Sequence, residues 1–252
     1  FMCRGRWVNY LAGGSTANPE GPGLNIPVNM SVAFHSDAGC HPTDKLVGTF
    51  MFYTIKDDDK ETTYPSGGDR ICNRDFADFI QTQIVEDIRQ TMMPTWQKRH
   101  LMHQSMSETR NPKVPSTIIE LLSHHNYYDM TFGLDPKFKF IASRAIYKGM
   151  LRFIHQTTGT PYVVQPLPVQ QMNISYANND SLHITWAERV DRLEPTATPT
   201  YYIIYTRTSQ LRDGQWQTSD WDNGIRVTTP HATLPIQRGV KYDIMVRAGN
   251  DG

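Results

Sequence analysis

The hydrophobic period of this chain changes once, near residue 156, and that change limits the fold more than any other feature. Before it, apolar residues recur at helical spacing and are mixed with short apolar runs. After it come short alternating runs rich in Thr, Tyr, Val and Trp, which is the pattern of strands. The stretch Gln156-Thr157-Thr158-Gly159-Thr160-Pro161, with Pro166 and Pro168 beyond it, forms the hinge, because Pro removes a donor and Gly adds backbone freedom. The 252 residues therefore divide into an α/β domain over 1–156, a linker over 157–165 and an all-β domain over 166–252.

In the first part, Phe76, Phe79, Ile80, Ile84, Val85 and Ile88 make one helical stripe with Pro94 beyond its end. A second helix starts at Asp135-Pro136, a capping side chain followed by proline at the first helical position. It carries Phe138, Ile141, Ala142, Ala145, Ile146, Gly149, Met150 and Phe153. A shorter helix is expected over Arg6 to Leu11. The runs Val28 to Phe34, Val47 to Tyr53 and Ser116 to Ile119 read as strands, so the expected fold is an α/β sheet with parallel strands flanked by helices. In such sheets the site lies off the carboxyl ends of the strands. His35 and Glu120 each stand where an apolar run stops.

Lys plus Arg equal Asp plus Glu at 25 each, which argues against a nucleic-acid or anionic-membrane binder, both of which want a basic excess. No apolar run nears the ~18–20 residues of a membrane span. Cys3, Cys40 and Cys72 include no CxxC pair, so a zinc ribbon or redox motif is not indicated. Cys40 and Cys72 are either a disulfide or two buried free thiols. Lys56-Asp57-Asp58-Asp59-Lys60-Glu61 reads as a solvated loop.

Neutral imidazole is a good zinc donor, and a glutamate at a neighbouring strand end suits the base that takes a proton from metal-bound water. Either residue taken alone also fits a structural role, as a hydrogen-bonded imidazole or a salt-bridged carboxylate. His100 and His103, at i and i+3, would share a helix face. His124 and His125 are adjacent, so a strand or turn would point them apart, with one lining the site. His41 reads as a rim residue or a weak extra ligand, and Asp37 is placed to orient a substrate amide or an imidazole. No serine-hydrolase elbow, phosphate-binding loop or dinucleotide glycine motif occurs.

Val114-Pro115-Ser116-Thr117-Ile118-Ile119-Glu120-Leu121, then Asn126 and Asp129, then Leu134-Asp135-Pro136, resembles the C-terminal signature of the zinc-dependent N-acetylmuramoyl-L-alanine amidases. That signature is a strand of type VPAVLVEL, an SN pair, an aspartate and a final helix. Arg110-Asn111 resembles the family's LR-N, and Ser31 to Ala38 resembles its SIHANA strand. The resemblance covers roughly residues 4 to 154. It implies His35 as a zinc ligand and Glu120 as the catalytic glutamate, with a zinc-bound water attacking the lactyl-L-alanine amide of peptidoglycan. Asp37, His41, His124, His125, Asn126 and Arg110 are expected beside these two, supporting them from behind or binding the substrate.

The family's other two ligands, a His in a PGHGG-type turn and a later Glu, have no counterpart here. They are expected upstream of Phe1, so these residues alone are expected to hold an incomplete zinc site and to lack turnover. Leu122-Ser123-His124-His125 and the Gly-, Pro- and Asn-rich insert Gly13 to Ile26 depart from the family pattern and leave the exact glycan open.

Residues 166–252 resemble a fibronectin type III sandwich. The stretch Ile236 to Asn250 carries that pattern, with Tyr242 at the position of the tyrosine corner and Trp186 as the core tryptophan. A last strand is expected beyond Gly252. Trp216 and Trp221 either stack on sugars or pack on the sandwich. The resemblances together imply a secreted, periplasmic or cell-surface hydrolase of peptidoglycan. Alternatives are a non-catalytic glycan-binding or scaffolding module, and an accessory part of another polysaccharide-degrading enzyme such as a xanthan-type lyase.

Overall fold

Residues 2–39 and 42–251 are described by the computed structural model, in two units divided as Phe1–Thr160 and Pro161–Gly252. The first unit runs α1 (Met2–Ala12), β1 (Ser31–Asp37), β2 (Thr49–Tyr53), α2 (Cys72–Thr91), β3 (Lys98–His103), α3 (Ser107–Arg110), β4 (Ser116–Ser123), α4 (Tyr127–Gly133) and α5 (Pro136–Thr158).

Local chemistry sets the helix limits. The Asp135 side chain accepts from the Lys137 amide at 2.8 Å, and Pro136 stands at the first helical position of α5. Gly159 at φ 71° closes the helix in the left-handed region, where a glycine carries no Cβ penalty. The stripe of α2 is buried through Phe76, Ala77, Ile80, Ile84, Val85 and Ile88.

The sheet order is β1-β4-β2-β3. β1 pairs parallel with β4 and β2 parallel with β3, but the central β2–β4 pair is antiparallel. The sheet is thus mixed rather than wholly parallel. Among the described residues between β1 and β2 there is no helix, and a parallel crossover needs a dozen residues or more.

α2 and α5 cover one face, where Met51, Ile119 and Leu121 meet Phe76, Ile80, Ile84, Phe138, Ile141 and Phe153. A Cβ built on Gly149 would stand 2.7 Å from the Ile80 Cα, so glycine is what lets the two helices approach. Trp96 is fully buried and donates from its indole to the Thr49 hydroxyl at 3.0 Å. The opposite face carries a smaller cluster of Phe50, Phe52 and Ile118, with Ala33, Met102 and Met106 against it.

Several expectations are corrected. His35 lies inside β1, which runs on to Asp37 because Ser36 and Asp37 keep extended geometry beside β4. Glu120 lies within β4, whose apolar run continues through Leu121 and Leu122. His100 and His103 sit on β3 and share no helix face. α1 starts earlier than Arg6, at Met2.

The mixed-charge run is not wholly solvated. Asp57 is buried and accepts from the Lys113 ammonium at 3.0 Å and from the amides of Asp59 and Glu61. Cys72 is a free thiol pushed up to about 11, chiefly by burial and then by Asp69 and Asp75. Cys40 lies outside the described residues.

The second unit runs β5 (Gln170–Asn178), β6 (Ser181–Ala187), a short 3-10 turn (Pro195–Ala197), β7 (Tyr201–Arg212), β8 (Gln215–Thr218), β9 (Ile225–Val227), β10 (His231–Pro235) and β11 (Lys241–Gly249). All its strand pairs are antiparallel, in one sheet of order β10-β6-β5 and another of order β11-β7-β8, with β9 also on β7. Ile184, Trp186, Tyr202, Ile204, Leu234, Val246 and Ala248 form the core between them. The Tyr242 hydroxyl accepts from the Gln237 amide at 3.0 Å. Trp216 and Trp221 are both exposed, and the Arg207 guanidinium lies over the Trp221 ring, 4.8 Å from its centre.

One side of this unit is uncovered. Ile174 and Tyr176 pair with Ile184 and Leu182, so they share the core-facing side of the sheet, yet they are 45% and 78% exposed. Met172, two residues earlier, is exposed as well. β11 is the last strand of its sheet, and its outer edge has no strand beside it among the described residues.

Candidate functional site at the end of the first sheet

Sheet register brings the two principal candidates together. His35 on β1 pairs with Glu120 on β4, and Glu120 pairs on its other side with Phe50 on β2. Paired residues project to the same face, so these three side chains form a row on the face opposite α2 and α5. Arg99 of β3 extends the row: its guanidinium lies 4.1 Å from the Phe50 ring centre and donates to Asp37 Oδ2 at 2.7 Å. Asp37 Oδ1 accepts from the Gly39 amide at 2.7 Å. Asp37 is thereby tied to Arg99, which the sequence does not point to, and its charge is felt at Glu120.

Two carboxylates beside His35 are driven in opposite directions. Glu108 on α3 sits 3.0 Å from His35 Nε2 through Oε2 and accepts from Arg4 Nη1 at 2.8 Å through Oε1. Burial alone would push its carboxyl up. The hydrogen bonds from Arg4 and His35, and then their charges, outweigh that and hold it below the usual carboxylate range.

Glu120 goes the other way. Burial pushes its carboxyl up and the charge of Asp37 adds to this, against the opposing pulls of His35, Arg99 and His124. Its Oε2 is buried with no hydrogen-bond partner among the described residues. A carboxylate group made neutral more easily and left unpaired is suited to accept a proton, while one kept ionised is suited to hold a neighbour.

The turn after β4 is pinned by Asp129, whose carboxylate accepts from the amides of Val47, Gly48 and Ser123 at 2.9, 3.1 and 2.9 Å. Asn126 caps α4 through its side-chain oxygen, and its amide donates to the Thr43 and Lys45 carbonyls. Its role in the structure is to hold this turn. His124 follows, its amide donating to the Asp37 carbonyl at 3.2 Å and its Nδ1 lying 2.9 Å from the Ser36 hydroxyl. The rings of His124 and His125 are 4.4 Å apart rather than directed away from each other, because both sit in the turn beyond β4. Arg110 is engaged with Asp58 and Ser105 and makes no bond to His35 or Glu120. His41 lies outside the described residues.

Phe34, 62% exposed on the β1 edge, separates two cavities that both reach His35. One, of about 390 Å³, lies along Arg4, Val8 and Glu108. The other, of about 410 Å³, is more apolar and runs along Leu122, His124, Met130 and Phe138.

Zinc is tested against these side chains. A catalytic zinc takes about three protein ligands. Among the described residues no three His, Cys, Asp or Glu side chains converge to hold a metal, and His35 Nε2 faces Glu108. The described residues therefore do not fit a zinc centre.

Glu108, Arg4 and Arg99 are site residues that the sequence did not reveal. Arg4 and Glu108 stand 104 positions apart and carry no spacing that links them. Glu108 lies two residues before the Arg110-Asn111 pair, which is the one local signal that could have drawn attention to it.

The chain matches no protein-family model and no curated protein. Among solved structures it is similar to N-acetylmuramoyl-L-alanine amidases. With the enzyme from Clostridium difficile 630 it shares 16% identity over 51% of this chain and 59% of that one, at a TM-score of 0.41. With AmiC2 of Nostoc punctiforme the figures are 15% identity, 52% and 60% coverage, and a TM-score of 0.40. A further likeness, at 19% identity over 34% of this chain and a TM-score of 0.25, is to titin kinase and its flanking domains. The chain thus spans about three fifths of the length of the first amidase.

Proposed function

We propose that the first unit is an amide-hydrolysing site of the cell-wall amidase kind, with Glu120 as the general base. The observation that carries this reading is the Glu120 carboxylate itself: half-buried, with Oε2 sealed from solvent and unpaired among the described residues, pushed up by its surroundings, and in register with His35. The steps assigned here are those of the chain's own residues. Glu120 takes a proton from a water attacking the amide carbonyl and returns it to the departing nitrogen. His35, steadied by Glu108 and Arg4, offers a ring N–H or cation beside the oxygen on which charge develops. The motif resemblance directs the substrate to the lactyl-L-alanine amide of peptidoglycan and the protein to a secreted, periplasmic or cell-surface setting. Trp186 in the core and the Tyr242–Gln237 bond support a fibronectin type III reading of the second unit.

A second reading, a non-catalytic glycan-binding module, is favoured by one specific observation. The His35 nitrogen that would serve chemistry is engaged by Glu108, which Arg4 clamps in turn. Release of free L-alanyl amine from defined muropeptides, followed by mass spectrometry, separates the two. The full-length protein should cleave, and its Glu120→Gln variant should lose on the order of 100-fold or more in rate while still binding the muropeptide. Undiminished cleavage by Glu120→Gln would refute the base assignment, and binding without any cleavage by the full-length protein would favour the second reading.

A further inference from the structure

The Ser36 hydroxyl on β1 lies 2.9 Å from His124 Nδ1, in the turn beyond β4. A hydroxyl and an imidazole at this distance have the geometry of a nucleophile and its base. With the ring proton on Nε2, Nδ1 accepts the serine O–H and can take that proton during attack. The two residues stand 88 positions apart, and no elbow motif marks the serine, so the sheet alone brings them together. The His124 amide donates to the Asp37 carbonyl at 3.2 Å, and its ring packs against that of His125 at 4.4 Å, which holds the base in place. Both residues are exposed, so a substrate can reach them.

The pair opens on the apolar cavity of about 410 Å³, a volume in the range of ligand sites. Its walls are Phe34 of β1, Leu122 of β4, Met130 of α4 and Phe138 of α5. Lys139 and Ser143 of α5 also line it and bring hydrogen-bond donors to a space that is otherwise apolar. Glu108 and Glu120 are not among its lining residues. Among the described residues no carboxylate hydrogen-bonds to the His124 ring. The imidazole is therefore a modest base, and that favours an ester, whose alkoxide departs more readily than an amine.

We propose that Ser36 and His124 form a second chemical site, a nucleophile–base pair that hydrolyses carboxylic esters whose apolar acyl group lies against Phe34, Leu122, Met130 and Phe138. Ser36 Oγ adds to the ester carbonyl carbon while His124 Nδ1 takes the hydroxyl proton. Lys139 and Ser143 are the donors for the oxygen on which charge collects. The bond from the acyl carbon to the alcohol oxygen then breaks, and His124 gives its proton to the departing alkoxide. A water, deprotonated by the same nitrogen, adds to the acyl-serine. The bond to Oγ breaks, Oγ regains the proton and the carboxylic acid leaves.

The probe is an octyl fluorophosphonate, which phosphonylates an activated serine with loss of fluoride. Tandem mass spectrometry of the digested protein locates the adduct. It should form on Ser36 ahead of the other serines. In His124→Gln, an exposed change whose fold is checked by circular dichroism, the rate at Ser36 should fall about 100-fold or more. A second measurement reads the acyl cavity. The hydrolysis of p-nitrophenyl esters that Ser36→Ala removes should favour butyrate over acetate by about tenfold in kcat/KM, because two more methylenes are buried. No adduct on Ser36, or one that forms as fast in His124→Gln, overturns the pair. Equal turnover of the two esters overturns the cavity as the acyl site. Phosphonylation involves no amide cleavage, so its outcome stands whether or not the amide-hydrolase reading survives.

Discussion

His35 Nε2 stands 3.0 Å from Glu108 Oε2, so the imidazole at the centre of the candidate site is held from α3 rather than left open. Glu108 is in turn tied to Arg4. Removing the carboxylate should free the ring. In Glu108→Ala the rate of carbethoxylation of His35 by diethyl pyrocarbonate, read by mass spectrometry, should rise severalfold over wild type, while the rate at His183 in the second unit stays as it was. An unchanged His35 rate would show that the pair does not govern access to that nitrogen.

Gly149 offers a test of the helix pair behind the sheet. Alanine normally stabilises a helix relative to glycine, by roughly 1 kcal/mol. Here the new Cβ would lie 2.7 Å from the Ile80 Cα, and a backbone atom cannot swing aside. Gly149→Ala should therefore destabilise the first unit, by about 1–3 kcal/mol as overpacked cores do. A urea midpoint equal to or above that of wild type would show that α2 and α5 part easily.

Asp57 makes the stability of the first unit sensitive to acid. Burial pushes its carboxyl up, but the Lys113 bond, the Glu61 amide and the charges of Lys113 and Arg70 outweigh it, and the folded value ends below the ordinary one. A group depressed in this way contributes stability that is present above the unfolded value, about 3.9, and is lost as pH falls through the folded value. Wild type should exceed Asp57→Asn in urea midpoint near neutrality, and the gap should narrow as pH falls from about 4 toward about 2. A gap that stays constant or widens on acidification would remove Asp57 from the acid response.

The helices were legible because their signals are local. Asp135-Pro136 and Gly159 mark the ends of α5, and the stripe from Phe138 to Phe153 marks its buried face. His35 and Glu120 were legible as chemistry-bearing residues beside apolar runs, and the strand register sets them side by side. What lay beyond the sequence was everything that depends on pairing across the sheet. Arg99 reaches the site only because Phe50 stands between it and Glu120, and Glu108 only because α3 packs near the start of β4. The same dependence explains His100 and His103, whose i, i+3 spacing means a shared face only on a helix, whereas they lie on a strand with a register shift between Lys98 and Leu101.

The second unit carries two exposed side chains, Ile174 and Tyr176, on the core-facing side of β5, with Met172 exposed nearby, and β5 is the edge strand of its sheet. Unpaired amides and carbonyls along an edge recruit other strands, and an uncovered apolar row rewards whatever lies down on it. The handling of this protein follows from that geometry. Its tendency to self-associate should grow with concentration and centre on β5, and a charged residue in place of Ile174 or Tyr176 should keep it monodisperse in light scattering without touching the chemistry of the first unit.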